Sequence, residues 1–248
     1  MRDSYKGISI NCAANTHAKA FSLLSDFRPG IIVDIPCGAG AMLQRLIDHG
    51  WKNVVGMDVE NHTDLDSHFI AGDMSERFPF EDGSVDVFMS LDGIEHIDEQ
   101  FFFIREINRC LKDDGELIIS TPNISSLRSR WRWLLSGHHN KCKNPLDESE
   151  PNPSHHIAMI SFPEIRYLLH TSGFEIVKVS TNRIKAANYV FALLYPLVFI
   201  YTFLSYKRGA KRNRNLKQQF SEIFQAMLSP PVMFGEILIL KVKKMRES

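Results

Sequence analysis

The 248-residue sequence is poor in cysteine, and its four copies (Cys12, Cys37, Cys110, Cys142) include no C-x-x-C pair. Their scatter leaves no framework for a disulfide scaffold or a zinc ribbon and fits a reducing compartment. The chain also lacks net charge, with 29 basic and 29 acidic side chains. Nothing global therefore pulls it toward nucleic acid, and such a partner would need a local patch. The opening segment MRDSYKGISINCAANTH holds no apolar run of signal-peptide length, so a cytoplasmic protein is expected. There is no internal repeat.

What the sequence does hold is an ordinary globular balance, 44% hydrophobic and 23% charged, over a length that buries one substantial core. A single domain over 1–248 is the expectation. From Ile31 to Thr121 short apolar runs alternate with helix-period segments, the pattern of βαβ units and a doubly wound α/β sheet. Strands are predicted at Ile31–Ile35, Asn53–Asp58, His68–Ala71, Val85–Ser90, Glu116–Ser120, Phe174–Ser180 and Glu236–Val242. Helices fall at Met42–His49 and Asp98–Leu111, the second ended by the turn Asp113-Asp114-Gly115. Ser161, Pro163 and Glu164 open a further helix with the residues of a capping box, and Gly173 ends it. Residues 124–160, an Arg/Trp-rich helical piece and a Pro/Asn/Ser/His-rich loop, are expected to be an insertion on the substrate side. Residues 183–233 form a second, apolar and basic, helical insertion before the last strand.

The run Ile31-Ile32-Val33-Asp34-Ile35-Pro36-Cys37-Gly38-Ala39-Gly40 is a buried strand entering a glycine turn and then a helix. Missing Cβ atoms let that backbone approach a ligand, and the helix N-terminus offers free N–H groups. Asp58 ends the next apolar run about twenty residues after Gly38, where doubly wound folds set a carboxylate on ribose hydroxyls. A dinucleotide site would want a third glycine where this chain has Leu43, which counts against a nicotinamide-dependent oxidoreductase.

Asp34-x-x-x-Gly38-x-Gly40 resembles the first motif of class I S-adenosylmethionine-dependent methyltransferases. The resemblance continues through Gly56-Met57-Asp58, Gly72-Asp73-Met74, Phe78-Pro79-Phe80-Glu81-Asp82-Gly83-Ser84-Val85-Asp86, Arg105-Glu106-Ile107 with Arg109-Cys110-Leu111-Lys112, and Ser120-Thr121-Pro122-Asn123. It implies a mostly parallel seven-stranded sheet and S-adenosyl-L-methionine as methyl donor. By the same resemblance Gly38 and Gly40 line the methionine part, Asp58 holds the ribose, and Asp73 with Met74 borders the adenine. Asp34 orients the glycine loop or the methionine ammonium, Ser90 and Leu91 face the donor, and Cys37 and Val59 flank these positions. A non-catalytic scaffold that merely keeps this fold is disfavoured by intact Gly38, Gly40, Asp58 and Asp73.

Asp92, Glu95 and His96 follow the fourth strand at i, i+3 and i+4, one face of a helical turn. His155 and His156 lie in the loop expected to fold over the same rim. This resembles the divalent-metal cluster of small-RNA 2′-O-methyltransferases and of ubiquinone-pathway O-methyltransferases. It implies a metal set of Asp92, Glu95, His96 and His156 for magnesium, manganese or zinc. The same residues admit a metal-free reading in which His96, Glu95 or His156 handles the acceptor's proton. His138 and His139 are expected to be solvated.

Between Lys185 and Lys207 no residue is charged, and the run Ala186–Tyr206 reaches the length of a transmembrane helix. If Glu236–Val242 pairs beside Phe174–Ser180, the chain must return to the side it left, so a monotopic or re-entrant hairpin broken at Pro196 is expected. Lys207, Arg208, Lys211, Arg212, Arg214 and Lys217 follow with no acid until Glu222, a pattern suited to an anionic inner leaflet. Ser120–Asn123, His156 with Phe162, and Phe234-Gly235-Glu236 resemble methyltransferases of cell-surface polysaccharide synthesis, implying a lipid-linked or amphipathic acceptor. The rival acceptor is RNA, through Arg128, Arg130 and Arg132, and the neutral charge weakens it.

Overall fold

The computed structural model describes residues 3–24, 30–142, 145–150 and 155–246, with the side chains of 214–216 left aside. The parts of the 124–160 loop at 143, 144 and 151–154, and the Arg214 side chain of the basic run, thus lie outside the described residues. The chain begins with a small hairpin, β1 (Ser4–Tyr5) and β2 (Ile8–Ser9), and the helix α1 (Thr16–Phe21). Then follow β3 (Ile31–Asp34), α2 (Ala41–Asp48), β4 (Asn53–Asp58), β5 (Phe69–Ala71), β6 (Val85–Leu91), α3 (Gln100–Cys110), β7 (Leu111–Pro122) and α4 (Leu127–Ser136). The last part is α5 (Phe162–Thr171), β8 (Phe174–Thr181), α6 (Tyr195–Arg212), α7 (Arg214–Met227), α8 (Pro230–Phe234) and β9 (Ile237–Lys244).

Seven strands form one sheet in the order β5-β4-β3-β6-β7-β9-β8. Neighbours from β5 to β7 are parallel, and β9 runs antiparallel between β7 and β8. This is the mostly parallel seven-stranded sheet implied above, with its helical insertion before the last strand. The near-continuous apolar runs follow from burial on both faces. Along β9, Leu238, Leu240 and Val242 pack into one core with α3 and α5, while Ile237 and Ile239 pack into the other with α2. Along β3, Val33 faces the first core and Ile32 the second, as period two requires. Each such fully buried side chain contributes roughly 1.5–3 kcal/mol.

Two local expectations change. The turn Asp113-Asp114-Gly115 does not separate α3 from the strand. It is a bulge within β7, where Val85 pairs with Leu111 but Val87 pairs with Glu116, and Asp114 takes a φ of 62°. Pro196 does not break an apolar helix in its middle either. A 3-10 segment, Ala186–Leu194, precedes it, and Pro196 stands in the first turn of α6, where its missing N–H costs no hydrogen bond. The helix then turns back through α7, and aromatic rings of Phe199, Phe203, Phe220 and Phe224 join the two.

Candidate active site

The carboxyl ends of β3, β4 and β6 open onto a cleft of about 610 Å³. Doubly wound sheets bind ligands at this edge, where strand order reverses. The glycine turn forms its floor: Gly38 and Gly40 adopt φ of 51° and 82°, in the left-handed region. A Cβ on Gly40 would lie 3.0 Å from Thr63 Cγ2, so a side chain there would crowd Thr63 in addition to straining the left-handed backbone. Asp58 fixes this turn, its carboxylate accepting the Gly38 N–H at 2.9 Å and the Val59 N–H at 2.8 Å.

Asp34, Cys37, Gly38, Asp58 and Leu91 all line the cleft. Burial, then the neighbouring Asp58, holds the Asp34 carboxyl well above its ordinary range. Burial also pushes the Cys37 thiol up to about 12. Other expected donor residues stand elsewhere. Val59 is exposed just past the end of β4, and Ser90 is fully buried within β6. Asp73 accepts the Ser75 N–H at 2.7 Å in a local turn, and Met74 packs against the core. Neither belongs to the lining of this cleft.

Part of the lining comes from the segment between β2 and α1 and from α1 itself, residues that carry no ligand-binding motif. Ser9, Asn11, Cys12, Ala13 and His17 line the cleft, and the Cys12 thiol donates to the Leu91 carbonyl at 3.6 Å. Burial, then Arg45, lowers His17 to about 4, so it stands neutral. These residues carry no motif, and only their folded position reveals them. Lys141 of the 124–160 insertion also reaches the cleft.

The rim holds the expected cluster in altered form. Ile94–His96 is one 3-10 turn, and Asp92 precedes it with a φ of 52°, so the three residues do not share an α-helical face. Asp92 instead takes the Ser120 hydroxyl at 2.6 Å and gives its N–H to the same oxygen at 3.0 Å. Glu95, His96 and His156 do come together, with ligand atoms within 4.8 Å of one another. His96 Nδ1 donates to the His155 carbonyl at 3.2 Å, which turns the Nε2 lone pair outward from that bond. The His96 and His156 rings meet edge to face at 4.7 Å. Gln100 pins the loop there, donating to Ile94 and Ala158 carbonyls at 2.9 and 2.7 Å.

Glu95 is fully buried, and its carboxylate oxygens have no well-formed hydrogen bond among the described residues, the Thr121 hydroxyl and its own backbone N–H being the donors that stand nearby. Burial, then Asp92, raises its carboxyl well above the ordinary range. A buried carboxylate so poorly satisfied needs a proton or a cation. One carboxylate with two imidazoles is a donor set that fits a divalent transition metal. Of the other histidines, His139 is half-buried, stacked on Trp133 with centroids 6.0 Å apart, and not a purely solvated residue.

Residues 12–179 match the family described as a methyltransferase domain. An uncharacterised protein of Methanocaldococcus jannaschii is 28% identical over 164 residues, covering 59% of this chain and 62% of that one. A probable S-adenosylmethionine-dependent methyltransferase of Mycolicibacterium smegmatis is 29% identical over 154 residues, covering 58% of this chain and 52% of its own length. The chain's matches thus span between about half and three fifths of these relatives. Among solved structures, a SAM-dependent methyltransferase from Archaeoglobus fulgidus superposes with a TM-score of 0.57 at 16% identity, over 92% of both chains. A phosphoethanolamine N-methyltransferase of Haemonchus contortus in complex with S-adenosyl-L-methionine gives 0.55 at 16%, over 95% of this chain and 53% of that one.

Proposed function

Because the chain belongs to the methyltransferase-domain family, as a class I S-adenosylmethionine-dependent methyltransferase, we propose that it methylates an oxygen of a lipid-linked or amphipathic acceptor at the cytoplasmic face of a membrane. When bound, the donor supplies a methyl group on a sulfonium that carries its own leaving group. The chain's residues are left with alignment and the acceptor's proton. Gly38 and Gly40 give the backbone approach, and Asp58 faces a ribose. Asp34, buried beside Asp58, regains its charge when a cationic ligand enters. At the rim His96 Nε2 is the atom placed to take a hydroxyl proton, its other nitrogen being held by the His155 carbonyl.

A second arrangement of the same rim is supported by the approach of Glu95, His96 and His156 and by the poorly satisfied, buried carboxylate of Glu95. Glu95, His96 and His156 would then hold zinc or manganese rather than magnesium, whose preferred ligands are all oxygen, and the metal would lower the pKa of a coordinated hydroxyl. The two arrangements separate under chelation: activity lost to a chelator and restored by one of these metals assigns the metal. Full activity after thorough chelation leaves the metal-free reading, in which His96→Ala abolishes turnover with donor affinity unchanged.

The observation that carries the membrane part is exposure. Ala186–Arg212 is long and apolar enough to cross a bilayer, yet only 11% of its most apolar window is buried. Leu193 is 84% exposed and Tyr201 74%. A patch of this kind on a folded domain marks an interaction surface. Since β8 and β9 are antiparallel neighbours in one sheet, the segment between them leaves and returns on one side, which favours lying on the membrane over spanning it. Exposed Lys207, Arg208, Lys211, Arg212 and Lys217 cap the hairpin, around an apolar cavity floored by Phe203 and Phe220. The test is incubation with radiolabelled S-adenosylmethionine and a lysate split into lipid, RNA and small-molecule fractions. Label in the lipid fraction is expected. Label in RNA alone would overturn the acceptor.

A further inference from the structure

Beside the donor cleft lies a second cavity, of about 240 Å³, that the chemistry above does not use. It is lined by Ser126 at the head of α4, by Arg128 and Arg132 one turn apart on that helix, and by Lys141, Lys185, Asn188 and Glu236. The two cavities adjoin. Lys141 lines both, and Glu236 in this one precedes Ile237 in the other.

Its charge is unbalanced. Four cations face one carboxylate, and that carboxylate is already engaged: Arg183, Lys185 and Lys141 reach Glu236 at 2.6, 2.8 and 3.1 Å. Neither Arg128 nor Arg132 has an acidic partner among the described residues. Two guanidiniums one turn apart suit a phosphate, which takes their N–H groups in pairs. The N-terminus of ten-residue α4 adds positive potential of the same sign.

A second, independent feature points to a ligand. Asn188 is 4% exposed and borders this cavity, its Nδ2 donating to the Phe234 carbonyl at 2.8 Å while Oδ1 has no donor among the described residues. With Nδ2 committed, Oδ1 is left as an unsatisfied, covered acceptor on a residue of the cavity wall. Both bordering elements also carry exposed apolar residues: Trp131, Trp133, Leu134 and Leu135 on α4, and Tyr189 and Val190 beside Asn188.

Resting on the methyltransferase reading, we infer that this cavity binds the head group of the acceptor, and that the head group is a hydroxyl-bearing phosphate ester. Arg128 and Arg132 take the phosphate and Asn188 a hydroxyl. Any tail lies along the exposed apolar residues, and the atom to be methylated extends past Lys141 into the donor cleft.

Calorimetry on the full chain saturated with S-adenosylhomocysteine tests this with three probes: glycerol 3-phosphate, inorganic phosphate, and dihexanoyl phosphatidylglycerol below its micelle concentration. Glycerol 3-phosphate should bind saturably and more tightly than inorganic phosphate. Arg128→Ala/Arg132→Ala should weaken it at least tenfold, and Arg128→Lys/Arg132→Lys should recover part of the loss. Tighter binding of the dihexanoyl lipid places the phosphate on a lipid, whereas equal binding places it on a soluble ester; both support the subsite. No saturable binding of glycerol 3-phosphate by donor-competent protein overturns it, as does equal affinity in the alanine variant. Equal affinity for inorganic phosphate overturns the hydroxyl contact. Failure to bind S-adenosylhomocysteine at all would strike the methyltransferase reading instead, and thermal unfolding of each variant shows that it is folded.

Discussion

Asp58 serves two backbone donors at once, the Gly38 and Val59 N–H groups, while its side chain borders the cleft. Replacing it by alanine removes a brace of the glycine turn together with the ribose acceptor proposed above. Loss of one hydrogen bond to a charged group costs on the order of 1.5–3 kcal/mol, so S-adenosylmethionine and its demethylated product should each bind roughly tenfold or more weakly. Calorimetry on folded Asp58→Ala protein checks this. Glu236 makes a different prediction. Burial alone would raise its carboxyl, but hydrogen bonds from Arg183, Lys185 and Lys141 outweigh burial and bring it from 4.5 down to about 2. A group depressed in the folded state contributes stability that is fully present above its unfolded pKa and is lost as pH falls through the folded one. Between about pH 5 and 2 the wild type should therefore lose up to about 3 kcal/mol from this carboxylate, as an upper estimate. Glu236→Gln should lack that component of the acid dependence and be less stable at pH 7, as urea titrations at stepped pH would show. Sequence legibility at this scale follows chemistry. Asp34, Gly38 and Asp58 were readable because a turn that approaches a ligand admits few residue types. Cys12 and His17 were not, since a wall formed by burial against Leu91 needs no particular side chain.

At the scale of elements, the strands were legible from their short apolar runs, at the half-exposed edges β5 and β8 as well as in the buried centre, and the largest miss was the start of β7. Ser161 and Glu164 marked the head of α5 for a local reason: the Glu164 carboxylate accepts the Ser161 N–H at 2.8 Å. The bulge in β7 was hidden, since Asp113-Asp114-Gly115 has the composition of any tight turn, and only pairing with β6 decides that the strand resumes. The motifs of the second half had a meaning that the sequence did not disclose. Asn123 donates to the carbonyls of Pro231, Val232 and Gly235 at 3.0, 3.0 and 3.1 Å, and so ties the end of β7 to the turn before β9. The α6–α7 pair rests on fewer buried contacts than the sheet, chiefly the rings of Phe199, Phe203, Phe220 and Phe224. Phe224 meets the other three, at 5.3, 5.9 and 5.6 Å. Phe224→Ala should cost the hairpin on the order of 1–3 kcal/mol, since these rings are only partly buried. Amide exchange should accelerate through Tyr195–Arg212 while donor affinity holds. Unchanged exchange there would mean that other contacts fasten the hairpin.

On the scale of the whole molecule, zero net charge conceals a strong segregation. The cations at the end of α6 and the start of α7 stand beside an apolar surface, and the donor cleft is lined by carboxylates. Composition averaged this away, and the linear run from Lys207 to Lys217 signalled only its basic half. Its apolar half could be read as core or as surface until the fold exposed it. Anionic vesicles should therefore bind the protein through two additive contributions. Each cation near such a surface contributes about 1 kcal/mol at low salt, so Lys207→Gln/Arg208→Gln/Lys211→Gln should weaken binding by roughly a hundredfold. That loss should shrink as salt shortens the screening length. Leu197→Ser/Tyr201→Ser removes burial of two exposed apolar side chains and should weaken binding at every salt concentration, because the apolar contribution is not screened. Co-sedimentation with phosphatidylglycerol-containing and zwitterionic vesicles over a salt series separates the two. A wild-type protein that stays in the supernatant with both kinds of vesicle would overturn the membrane reading and assign the exposed face of Ala186–Tyr206 to an interface between protein chains.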